Sequence, residues 1–170
     1  IDANGKGNIR MLNDAQSAGN AAITIEGTSP HTAPIVTLGY QPSFRCGRNA
    51  THNSTGVAIP NWNIVFHNVG NHFNTSTGVF TAPVAGVYQV NLHYLNENNS
   101  NTTDAHVRLN GSQNNGFRLR SGTSAGHQTT SASHCFNLAA NDTLDVYLEQ
   151  GEVYGDTSTS WSIFSAYLLG

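Results

Sequence analysis

From about residue 42 onward, apolar and polar positions alternate every second residue, in short runs interrupted by Gly, Asn and Pro. In residues 87–95 (VYQVNLHYL), Tyr88, Val90, Leu92 and Tyr94 fall on one face of a strand and define its core side. Val87, Gln89, Asn91, His93 and Leu95 make the opposite face, mixed in the way a half-buried contact surface is. The same period runs through 62–66, 77–81, 105–110, 116–120, 132–138, 143–149 and 161–169. Asn110-Gly111 marks a two-residue hairpin turn. A 3.6-residue apolar stripe of useful length is absent from the sequence, so the pattern predicts an all-β sandwich over residues 42–170.

Residues 1–41 read differently. Short apolar pieces (Ile9, Met11, Leu12, Ala21 to Ile25) alternate with Asn-Gly and Gly-Asn steps. The segment reads as the end of a β-rich shaft or a linker, with a disordered leader as the alternative. Ile1 in place of an initiating Met is expected of a processed chain or a fragment.

Composition narrows the chemistry. Of 170 residues only 10% are charged, Lys6 is the one lysine, and the formal net charge is −3. That gives no electrostatic footprint for nucleic acid, and no apolar run approaches the ~20 residues of a membrane span. Asp104, Asp142, Asp145, Glu149, Glu152 and Asp156 are dispersed and form no general acid–base pair, so no enzyme is predicted. The eight histidines are scattered. Cys46 and Cys135 are open to two readings, a disulfide or two buried thiols.

Residues 71–95, NHFNTSTGVFTAPVAGVYQVNLHYL, carry a resemblance. Asn71, Phe73, Asn74, Thr77, Gly78, Phe80, Thr81, Pro83, Gly86, Val87 and Tyr88 match the motif of the complement C1q-type globular head, a relative of the tumour necrosis factor jelly roll. Ser43-Phe44-Arg45, Ile64-Val65-Phe66, Phe136-Asn137-Leu138 and the closing Trp161 to Leu169 also resemble the family, with Asn141 standing where the family has Gly. The resemblance implies a ten-stranded jelly roll assembled as a homotrimer, with no catalysis, recognition through loops away from the stalk, and calcium in some members. The leader and the shortage of charge resemble shaft-to-head junctions of bacteriophage or other virion fibres. A bacterial surface or spore-coat protein and a secreted animal lectin-like protein are the alternatives. The expectation is an extracellular or virion-surface recognition head that binds a cell-surface glycan or protein receptor and joins the rest of a fibre or particle. A structural trimerisation, capping or decoration module is the alternative.

On that frame, Phe80, Tyr88, Phe136, Phe164 and Tyr167 are expected to fill the core or the trimer contact, and His93 to lie near a threefold axis. The loop expectation falls on Asn98, Asn101 and Asp104 in 96–104, Asn114 and Asn115 in 112–116, His127 in 121–130, and Tyr154 and Asp156 in 151–160. Amide and hydroxyl side chains there suit sugar hydroxyls, and Tyr154 suits stacking on a ring. No cofactor is required; if calcium binds, Glu152 and Asp156 with nearby carbonyls are the candidate ligands.

Overall fold

A computed structural model describes residues 41–97, 102–122, 126–158 and 160–169. The shaft or linker expectation for residues 1–40 lies outside them. Among the described residues eleven strands form two antiparallel sheets, so the all-β sandwich expected from the alternation is present. One sheet runs β3 (Ile64–Val69), β1 (Ser43–Gly47), β11 (Ile163–Leu168), β6 (Gly86–Asn96), β9 (Gln128–Leu138). The other runs β4 (Phe73–Asn74), β5 (Val79–Thr81), β10 (Thr143–Gln150), β7 (Asp104–Leu109), β8 (Ser112–Arg120), with β2 (Val57–Ala58) also paired to β10. The count exceeds the expected ten by one, and two of the strands, β2 and β4, are only two residues long.

The period-2 reading of β6 holds: Tyr88, Val90, Leu92 and Tyr94 are all buried. Across the layer they meet Val107, Leu144, Val146 and Leu148 of the second sheet, in one core. Phe44 of β1 stacks on Phe73 of β4 with centroids 4.1 Å apart, and meets Phe164 of β11 edge-on at 5.1 Å. Phe80 meets Tyr88 at 5.6 Å, and the Tyr88 hydroxyl donates to the Val84 carbonyl at 2.9 Å. The motif around residue 74 is a folded turn. The Asn74 carboxamide oxygen accepts from the Ser76 and Thr77 amides, and Gly78 follows at φ 75°. A Cβ on Gly78 would sit 2.2 Å from the Ile59 carbonyl.

The β7–β8 hairpin turns at Asn110 (φ 51°) and Gly111 (φ 73°), both left-handed as a two-residue hairpin requires. Asn141 adopts φ 72°, a conformation Asn tolerates better than other non-glycine residues, which explains how it substitutes for Gly. Beyond the turn the pairing slips: Leu109 faces Ser112, whereas Val107 faces Phe117. The extra residues of β8 leave Gly116 against the β7 backbone, where a Cβ would lie 1.7 Å from the Val107 carbonyl oxygen. Gly116→Ala is therefore expected to lower stability by about 2 kcal/mol or more, read as a fall in the urea midpoint; an unchanged midpoint would show that the strands part freely there.

Candidate ligand-binding pocket

Three chain segments meet where β6 ends, β9 begins and β10 leads into β11. Ser162, buried, ties them: its hydroxyl donates to the Tyr154 carbonyl at 2.7 Å and accepts from the Leu95 amide at 3.2 Å. The Tyr154 amide donates to the Leu95 carbonyl at 2.9 Å. On the other side, Thr103 Oγ1 donates to the Glu152 carbonyl at 2.8 Å, and a two-way backbone bridge joins His52 to Val153. The 151–156 stretch is thus held by backbone partners.

Above this junction lies a half-open cavity of about 310 Å³. It brings together three residues singled out in sequence, His127, Tyr154 and Asp156, with Glu97, Ser158 and Trp161 over a floor at Leu95. Trp161 is 42% exposed. Asp156 Oδ1 accepts from the Ser158 amide at 2.6 Å and hydroxyl at 2.8 Å, and Oδ2 faces the Tyr154 hydroxyl at 3.3 Å. The Ser158 amide and then its hydroxyl hold the Asp156 carboxyl below the usual carboxylate range. Desolvation first, then the charges of Glu97 and Asp156, push the Tyr154 phenol up. Glu97 Oε1 lies 3.8 Å from His127 Nδ1. Aromatic surface beside carboxylates, a hydroxyl and an imidazole is the chemistry that recognises a polyhydroxylated ring. Trp161 and Glu97 were missed in sequence. Trp161 reads there as the start of the last strand, although a Trp between Ser160 and Ser162 at a strand end was a signal.

The other loop residues do not join the pocket. Asn98 and Asn101 lie outside the described residues. Asn114 and Asn115 belong to β8, in the slipped stretch, where they are exposed and away from the cavity. Asp104 is corrected outright: it opens β7, is buried, and is consumed by ion pairs. Its carboxylate takes Arg118 in a two-pronged bond, with Arg120 Nε at 3.9 Å and His106 Nε2 at 3.5 Å. A buried carboxylate needs such partners. Burial drives the His106 imidazole below its ordinary value against the pull of Asp104. Glu152 is held through its backbone by Thr103, and among the described residues no group of three His, Cys, Asp or Glu is placed to hold a metal ion.

Of the packing residues, Phe80, Tyr88 and Phe164 are in the core, and Phe136 is half-buried beside Phe117. Tyr167 is not core: it points away from the sandwich on the outer face of the five-stranded sheet and is exposed. His93 shares that face, half-buried, beside Asn91, Ser131, Ser133, Ile163 and Ser165. A ladder of side-chain bonds crosses it. Cys135 donates to Gln89, Gln89 to Ser133 at 2.6 Å, Ser133 to Asn91 at 2.6 Å, and Asn91 to Ser165 at 3.3 Å. Both cysteines are free. Cys46 is buried, and desolvation raises its thiol to about 11, whereas Cys135 is exposed, so neither the disulfide nor the pair of buried thiols is found.

A family model described as the C1q domain matches residues 43–169. Complement C1q tumor necrosis factor-related protein 3 of Mus musculus and of Homo sapiens are each 31% identical over 121 residues, 71% of this chain and 48% of the relative. The chain thus spans about half the length of these relatives. Among solved structures, the globular domain of zebrafish complement 1qA superposes with TM-score 0.62 at 18% identity, covering 76% of this chain and 98% of that one. Eiger TNF from S. frugiperda gives 0.58 at 12%, covering 76% and 93%, and murine APRIL 0.58 at 11%, covering 76% and 99%. At these identities the structures speak for the fold alone.

Two substitutions test this local chemistry. Ser158→Ala should return the Asp156 carboxyl upward toward the ordinary range, followed by NMR titration. The stabilisation that Ser158 lends to the charged carboxylate is present above the ordinary carboxylate range and is lost as pH falls through the lowered value. No movement would mean that the Ser158 hydroxyl does not contribute and that the backbone amide alone holds the charge. Asp104→Ala should cost about 2 kcal/mol in urea unfolding by stripping Arg118 of its two-pronged acceptor, and a neutral result would show a solvated carboxylate.

Proposed function

This chain belongs to the C1q domain family, a non-catalytic family, and on that premise we propose that it forms the recognition head of a homotrimer that binds a cell-surface glycan through the pocket lined by Glu97, His127, Tyr154, Asp156, Ser158 and Trp161. The observation that carries the assembly is the partition of charge between the two sheets. The five strands of one sheet contain a single charged residue, Arg45, whose guanidinium lies 4.2 Å over the Phe66 ring. The strands of the other contain six: Asp104, Arg108, Arg118, Arg120, Asp145 and Glu149.

A sheet with Arg45 as its single charge, whose Gln, Asn and Ser side chains already bond one another, can be buried against copies of itself at small desolvation cost. Exposed Val87, Tyr167 and Leu169 lie at one end of it and supply apolar area, with the Leu169 amide bonded to the Val87 carbonyl at 2.7 Å. The charged outer face of the other sheet is left to solvent. Recognition then falls to the loop end, where three segments converge on one cavity. A neutral, amide-rich head of this kind suits an extracellular setting, at the tip of a virion fibre or another surface protein.

The same partition also fits a trimerisation cap with no ligand of its own, and binding decides between them. On a panel of cell-envelope polysaccharides and common sugars, the recognition head binds at least one glycan saturably. Trp161→Leu weakens that binding by roughly tenfold, since a stacking aromatic contributes on the order of 1–2 kcal/mol, while the oligomer stays intact. Loss on adding chelator would add calcium to the site. An intact oligomer that binds nothing on the panel would contradict recognition of glycans and favour the cap.

A further inference from the structure

We infer that the pocket selects cationic amino sugars over neutral and acidic ones; the inference rests on the glycan-binding reading above. Among the described residues the lining contains two carboxylates, Glu97 and Asp156, and neither lysine nor arginine. The remaining titratable members are His127 and Tyr154, and the phenol is held in its uncharged form by the loss of solvation and by the two acids. A ligand carboxylate or sulfate entering here meets like charge with no fixed cation to receive it.

The two acids have different tasks. Both Asp156 oxygens are engaged, one by Ser158 and one by the Tyr154 hydroxyl, so this carboxylate is a fixed charge with little acceptor capacity left. Glu97 is partly exposed, and its ion-pair contact with His127, at 3.8 Å, is beyond hydrogen-bonding distance. Glu97 is therefore the acceptor that an incoming ammonium group meets. Trp161 offers an aromatic face that takes either the C–H side of a pyranose or a cation near its plane. An amino sugar presents both features in one residue. N-acetylation keeps the ring and removes the charge, which isolates the electrostatic contribution.

Trp161 also reports on the site. The other tryptophan, Trp62, is fully buried in the core, so a ligand-induced change in emission that vanishes in Trp161→Leu comes from the pocket. The whole chain is titrated with three probes: a glucosamine tetramer, its fully N-acetylated counterpart and a galacturonate tetramer. The glucosamine tetramer should bind roughly fivefold tighter than the acetylated one, the size of one partly exposed ion pair, and the galacturonate tetramer most weakly. Glu97→Gln should bring the ratio of the two affinities close to one. Equal or tighter binding of the acetylated or acidic tetramer, or a preference that survives Glu97→Gln, overturns the charge selection and leaves glycan recognition standing. A folded protein whose Trp161 emission responds to none of the three overturns both.

Discussion

The fold depends on one aromatic seam between the layers. Phe44 and Phe164 come from the five-stranded sheet, Phe73 and Phe80 from the other; Phe44 lies 4.1–5.2 Å from the other three rings, and Phe73 lies 5.8 Å from Phe164. Trp62 closes one side, with its indole N–H donating to the Ile59 carbonyl at 2.9 Å. Aromatic pairs across a layer add to the area they bury and fix the angle at which the sheets meet. Once that seam is set, alternation leaves each sheet a second, outward face with its own chemistry.

Those outer faces divide the labour. On the six-stranded sheet, Arg108 clamps Asp145 with two bonds of 2.8 and 2.6 Å and lies over Tyr147, while Arg118 and Arg120 gather on Asp104. Opposite charges are neutralised within the subunit on a face that water can reach. On the five-stranded sheet Arg45 is the one charge, and Gln89, Asn91, Ser133 and Ser165 are bonded to one another, a surface that loses little on leaving water. The strands of that sheet also lead directly into the pocket. Leu95 continues β6, and Trp161 stands two residues before β11. The proposed assembly and recognition would thus be neighbouring properties of one sheet, with strands positioning the loop-end side chains.

Much of this was legible in the sequence because it is local. The period of two in residues 87–95 named the buried face of β6, and Asn110-Gly111 named the hairpin. Three pocket residues, His127, Tyr154 and Asp156, were named from loop composition. What composition lacked was convergence: Glu97 and Trp161 meet only because β6 and β11 pair, with Ile163 opposite His93. Asp104 failed for a related reason. Extending the hairpin from its turn pairs Asp104 with Phe117, whereas the slip beside Gly116 pairs it with Arg120. A register shift cannot be read from alternation, so the carboxylate read as a solvated loop residue instead of the centre of an ion cluster. Likewise each strand's charge content was visible, but its meaning depended on which strands share a sheet.

The claim on which the rest turns is that the charge-poor outer face of the five-stranded sheet is a subunit contact. Sedimentation of the native protein at micromolar concentration tests it directly. The account predicts one species with the mass of three 18.1 kDa chains, and dissociation to folded single chains when Gln89→Glu places a carboxylate in the side-chain ladder. A native protein that sediments as a single chain, or a trimer that tolerates that carboxylate, would contradict it.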